Sequence, residues 1–114
     1  MITLYGNSNC DTMKKARAWL DGHGVAYAFH DYKKAGLAEP LARAWVAELG
    51  WEALINRRGT TWRKLPESVR EGIDAESAVR LMMENPSLVR RPLLDTGDAR
   101  HLGFSDSRYQ EIFG

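Results

Sequence analysis

The sequence predicts an α/β fold: a mixed four-stranded sheet with an all-helical insert between its second and third strands. Two observations carry this. Residues 1–31 read as strand, helix, strand, and residues 92–114 as strand, strand, helix, while everything between has helical periodicity. A third observation points to where chemistry sits. The only cysteine, Cys10, falls at the first strand-to-helix junction.

Ile2-Thr-Leu-Tyr5 is a β-rich run closed by Gly6-Asn7-Ser8-Asn9, which is strong turn chemistry. From Asp11 a helix is expected, with Met13, Ala16 and Leu20 on one face and Lys14, Lys15, Arg17 and Asp21 mostly outward. Gly22-His23-Gly24 ends it through a left-handed glycine, with His23 placed to meet the negative end of the helix dipole. Val25, Tyr27 and Phe29 then alternate with other residues in a second strand running to Asp31. Strand, helix and strand within about thirty residues form a βαβ unit, so these two strands should be parallel.

Pro40 opens a helix carrying Leu41, Trp45, Val46 and Leu49, which Gly50 ends. Trp51 to Ile55 reads as one further turn. Asn56-Arg-Arg-Gly-Thr-Thr61 is a loop, with Thr61 expected to cap a helix from Trp62 to about Glu71. Asp74 caps another helix, with Ala78, Leu81 and Met82 inward and Asn85-Pro86 as its stop. Leu93-Leu94 follows Pro92 as a short strand, Thr96-Gly97-Asp98 turns, and Arg100 to Gly103 returns as a hairpin partner. Ser105 caps a last helix with Tyr109, Ile112 and Phe113 on one side. This order is the thioredoxin-like arrangement, with a core of about 1–35 and 88–114 and an insert of about 36–87 in one domain.

Composition narrows the function. The chain has 114 residues, enough to bury a core without staples. Net charge is only +1, so no global field draws nucleic acid or an anionic membrane, and any basic site must be local. No signal-peptide pattern and no apolar run of membrane-spanning length is present. Those features and a lone cysteine fit a reducing cytoplasm. The histidines His23, His30 and His101 are scattered, so no metal site is expected.

Cys10 has two readings. It is either an inert packing residue or a thiol at the positive end of a helix dipole, where thiolate pKa values fall to roughly 3.5–7.5. Its position at the carboxyl end of the first strand, where α/β sheets bind ligands, and nearby Lys14 favour the second. With one cysteine no internal disulfide forms, so the second thiol must come from outside the chain. Arg91-Pro92 is either a surface arginine before a strand-initiating proline or the start of the third strand beside Cys10, where a cis peptide would offer backbone groups at Pro92 and Leu93 to an extended thiol substrate. Arg57 and Arg58, in Asn56-Arg57-Arg58-Gly59, are either a solvated basic loop or an anion-binding lip.

The motifs Tyr5-Gly-x-x-Asn9-Cys10-Asp-Thr-x-Lys14-Lys15-Ala16, Glu48-Leu-Gly-Trp-Glu, Asn56-x-Arg58-Gly59-Thr-Thr61-Trp, Arg91-Pro92-Leu93 and Leu102-Gly103-Phe104-Ser105 resemble the arsenate reductase (ArsC)/Spx family, its YffB-type branch above all. The resemblance spans essentially the whole chain. It implies that Cys10 is the reactive residue, with Asn9, Lys14, Arg57, Arg58, Arg91, Pro92 and Leu93 lining a substrate or glutathione site. Glutathione would be a cosubstrate, with no tightly bound cofactor and glutaredoxin as a further partner. Arsenate reductases of the family use three arginines around the oxyanion. Arg91 matches one, the middle-loop arginine falls on Asn56 or its neighbours Arg57 and Arg58, and the third, near Gly103-Phe104, is absent, with Arg100 the nearest substitute. Spx-type regulators carry a Cys-x-x-Cys switch and bind RNA polymerase; here Met13 stands at the second cysteine position. The expected activity is therefore a glutathione-dependent thiol–disulfide oxidoreductase. The alternatives are a non-enzymatic Spx-like adaptor and an arsenate reductase with an altered oxyanion site.

Overall fold

In the computed structural model, which describes residues 1–8 and 10–114, four strands form one mixed sheet. They are β1 (Thr3–Gly6), β2 (Ala28–Asp31), β3 (Leu93–Asp95) and β4 (Arg100–Leu102), in the order β2-β1-β3-β4. β1 runs parallel to β2, pairing Leu4 with Phe29, and antiparallel to β3, pairing Leu4 with Leu94. β3 and β4 form the expected antiparallel hairpin. The chain separates into two compact units, Met1–Asp31 with Arg91–Gly114, and Tyr32–Arg90.

The first unit holds the sheet, α1 (Asp11–Gly22) and a C-terminal helix, Asp106–Phe113. The register sets Leu4 and Leu94 side by side, and α1 lays Met13, Ala16, Trp19 and Leu20 against them. Tyr109 of the C-terminal helix completes this core, and both Leu4 and Tyr109 are fully buried. Burying each such large apolar side chain contributes about 1.5–3 kcal/mol. Ser105 caps the C-terminal helix through the Arg108 N–H at 3.1 Å.

The end of α1 explains why β2 is shorter than the sequence pattern suggests. Gly24 has φ +68, its N–H reaches the Asp21 carbonyl, and the Val25 N–H reaches the Leu20 carbonyl at 3.0 Å. This is a Schellman motif. Val25 is spent on closing the helix and on packing against the core, so pairing starts only at Ala28. His23 Nδ1 lies 2.8 Å from the Trp19 carbonyl, which can only accept, so Nδ1 carries the proton; the ring stacks on the Trp19 indole at 3.7 Å.

The second unit is helical: α2 (Tyr32–Ala35), α3 (Glu39–Leu49), α4 (Trp51–Leu54), α5 (Thr60–Arg63), α6 (Glu67–Glu71) and α7 (Ala75–Glu84), then a 3₁₀ turn at Pro86–Leu88. The C-terminal helix of the first unit is thus α8. Ala42 and Trp45 of α3 are buried, as are Ala78, Val79, Leu81 and Met82 of α7. On the outside Arg43 joins these two helices, binding Glu39 at 2.8 Å and both oxygens of Glu76. Asp74 accepts from the Ser77 N–H at 2.9 Å while Ser77 Oγ accepts from the Asp74 N–H at 3.0 Å, a reciprocal capping box.

The single helix expected from Trp62 to Glu71 is in fact two. Pro66 lacks an N–H and pushes Leu65 out of helical geometry, so α5 stops before it and α6 starts after it. Thr61 accordingly lies inside α5, and Gly59 occupies the N-cap position.

Candidate functional site

The site begins where β1 ends. Gly6 and Asn7 are buried, and Cys10 follows as the N-cap residue of α1, with extended φ −93 and ψ 130. Position 6 favours glycine because a Cβ there would fall 2.3 Å from Sδ of the buried Met13, which would have to shift. Met13, fully buried, thus packs directly on the strand and fills the place where a second cysteine would stand. Asn9, expected to line the site, lies outside the described residues.

Cys10 is half-buried and packs against the core of the first unit. Burial raises its pKa, yet the net shift is downward from the ordinary thiol value. The opposing causes are the backbone N–H groups of Met13 and Thr12, the Arg91 guanidinium and the Thr12 hydroxyl. The sulfur makes no close capping hydrogen bond, so the free N–H groups of the first turn act on it as oriented dipoles. A negative sulfur is the species that such a setting favours.

Arg91, at the other end of the sequence, is thereby brought to Cys10. The Arg91–Pro92 peptide is cis. One sequence expectation is corrected here. Pro92 is buried and its carbonyl accepts the Gly103 N–H at 2.9 Å, while Leu93 is in register with Tyr5 on one side and Leu102 on the other. Those backbone groups serve the sheet, and the first residue beyond the ladder is Arg91. The Lys14 side chain is exposed, and its backbone N–H closes the first turn on the Cys10 carbonyl at 3.1 Å.

Arg57 and Arg58 belong to the Tyr32–Arg90 unit, where both are exposed. The Arg57 guanidinium lies over the Trp51 ring at 5.5 Å, and the Arg58 N–H donates to Asn56 Oδ1 at 3.2 Å. Arg100 is 3.7 Å from Asp95, an ion pair within the hairpin. No helix among the described residues is long and apolar enough to cross a membrane. Thr12 is the site residue that sequence reasoning passed over. The signal was a hydroxyl two positions after a cysteine at a helix start.

Sheet order and site together define a thioredoxin-like α/β protein with one cysteine at its first strand-to-helix junction. The chain belongs to the ArsC family, whose model matches residues 5–112. It is similar to the YFFB protein of known structure, with 46% identity, full coverage of both chains and a TM-score of 0.96. An arsenate reductase (ArsC) related protein from Brucella melitensis is 50% identical over 98% of this chain and 93% of its own, with a TM-score of 0.79. The global transcriptional regulator Spx of Streptococcus agalactiae is 36% identical over 93% of this chain and 78% of its own length.

Proposed function

We propose that this protein is a glutathione-dependent thiol–disulfide oxidoreductase in which Cys10 is the sole protein nucleophile. The observation that carries the reading is the Cys10 sulfur at the start of α1, faced by two backbone N–H groups and the Arg91 charge. In the first step the Cys10 thiolate attacks the glutathione sulfur of a mixed disulfide R–S–S–G. A Cys10–glutathione disulfide forms and RS⁻ leaves to take up a proton. In the second, a glutathione thiolate attacks the glutathione sulfur on Cys10, releasing the Cys10 thiolate and oxidised glutathione. The sum is R–S–S–G plus one glutathione thiol giving RSH and oxidised glutathione, with the Cys10 thiolate regenerated. With Met13 at the second cysteine position, an external thiol must perform the second step. Arg91 is the group suited to a carboxylate of glutathione.

The test is intact mass spectrometry after incubation with oxidised glutathione. The expected result is one glutathione adduct on Cys10, absent in Cys10→Ser and removed by glutaredoxin with glutathione. No adduct, or one that these thiols leave in place, refutes the reading. The kinship with Spx favours a second reading, an adaptor in which Cys10 is passive. In that case Cys10→Ser captures the same partner as the parent. Arsenate reduction is less well supported, because Arg100 is paired with Asp95 and Gly103-Phe104 supplies no third arginine.

A further inference from the structure

We propose that the outer edge of β2 docks an extended segment of a partner protein, and that Arg17 of α1 selects an acidic residue in that segment. The inference goes beyond the oxidoreductase reading and stands on residues that take no part in the Cys10 site.

The backbone comes first. β2 stands at the end of the order β2-β1-β3-β4, so within the sheet it pairs on one side only. The Ala28 N–H donates to the Ile2 carbonyl at 2.9 Å, and along a parallel ladder the hydrogen-bonding direction alternates from residue to residue. Ala28 and His30 therefore turn their backbone groups toward β1, and Phe29 turns its N–H and carbonyl outward. Among the described residues nothing takes those two groups of Phe29, and nothing takes the backbone groups of Tyr27. Unpaired groups of this kind are a template for a further strand.

The side chains beside this edge supply the choice of partner. Phe29 is in register with Leu4, and with Val25 and Tyr27 it packs against the core on the α1 side. There the half-buried Arg17 is held in two ways. Its Nε–H donates to the Tyr27 hydroxyl at 3.2 Å, and its guanidinium carbon lies 4.3 Å from the centre of the Phe29 ring. Its two terminal nitrogens have no partner among the described residues. Asp21, one turn further along α1, lines the same open hollow of about 470 Å³ without pairing to Arg17. The result is an oriented, uncommitted guanidinium beside an unpaired strand edge. A charge at an edge repels a strand of like charge and attracts one of opposite charge, so Arg17 turns a general template into one that favours acidic segments. In antiparallel pairing, the stronger kind, the residue opposite Phe29 exchanges both backbone hydrogen bonds with it. The Cβ of that residue stands about 4.5–5.5 Å away on the same face. A carboxylate there reaches the guanidinium fork, which takes it through two N–H groups. Main-chain bonds then give affinity and Arg17 gives specificity.

The experiment titrates isotope-labelled protein with the end-capped peptide Thr-Val-Thr-Glu-Thr-Val-Thr and follows the backbone amides by NMR. Three companion peptides carry Gln or Lys in place of the central Glu, or an N-methyl group on it. The Glu peptide should shift the amides around Phe29 and slow hydrogen exchange at Phe29 itself. It should bind about fivefold tighter than the Gln peptide, the upper end for a partly exposed ion pair. That preference should fade as salt is added. N-methylation of the central residue should abolish binding, because it removes the donor to the Phe29 carbonyl. Arg17→Glu should invert the order, so that the Lys peptide binds best. Should Arg17→Glu fail to fold, Arg17→Gln should erase the difference between the Glu and Gln peptides. Glu and Gln peptides that bind the parent protein alike overturn the proposal, because Arg17 then selects nothing. Binding that survives N-methylation overturns it too, since no strand has been added. So does an unshifted Phe29 amide at about 1 mM peptide, where even weak docking registers. A dimer in sedimentation that already protects the Phe29 amide assigns this edge to a second copy of the chain and likewise overturns it.

Discussion

Gly6→Ala tests how the cysteine loop is held. The added methyl would lie 2.3 Å from Met13 Sδ, 2.7 Å from its Cε and 3.2 Å from its Cγ, all well inside van der Waals contact. Methionine is adaptable and would normally swing away. Here it is fully buried among Leu4, Ala16, Trp19, Leu20, Leu94 and Tyr109, so its escape displaces the core. Overpacking of this sort costs about 1–3 kcal/mol. At about 4 °C per kcal/mol for a chain of this length, Tm should fall by about 4–12 °C. Differential scanning calorimetry measures it, and a double-mutant cycle assigns the cause. Met13→Ala alone should cost about 2–5 kcal/mol through the cavity it leaves. In Gly6→Ala/Met13→Ala the new methyl enters that cavity, so the pair should lose about 1–3 kcal/mol less than the sum of the single variants. A Gly6→Ala protein that melts with the parent, or a pair that is additive within about 0.5 kcal/mol, refutes the packing argument.

Asp74→Ala removes a reciprocal cap and should destabilise the protein by about 1 kcal/mol, a Tm loss of about 4 °C in the same calorimeter. Cys10 links stability to pH. Its folded pKa lies below the unfolded value of about 8.5, so its contribution is fully present above that value and is lost as pH falls through the folded pKa. The unfolding free energy of the parent minus that of Cys10→Ala should therefore rise with pH and level off near 8.5, as read by urea titration at each pH; a flat difference contradicts the lowered thiol. Arg91→Gln should move the alkylation midpoint of Cys10 upward and reduce its salt dependence, and an unmoved midpoint removes Arg91 from the site.

Much of the fold was legible because its signals are local. The glycine with φ +68 after α1, the Asp74 cap and the Ser105 cap each depend on a few neighbouring residues. The strand limits were less legible, because Val25 looks like a strand residue until its N–H is seen bound to Leu20. Pro66 was visible as a letter, yet the span from Trp62 to Glu71 reads as helix unless the geometry imposed on Leu65 is weighed above periodicity.

The same division governs the site. From the sequence come the lone cysteine, its junction between strand and helix, and the methionine at the second cysteine position, so that no disulfide can form within the chain. Only the tertiary structure decides what faces the sulfur. Pairing of β3 with β1 brings Arg91 to Cys10 and consumes the backbone of Pro92 and Leu93, while the first turn of α1 leaves Thr12 half-buried and Lys14 exposed. The reason is physical. Chain geometry over a few residues determines where a helix starts, but the field at one atom sums over groups that register and packing deliver from distant parts of the sequence.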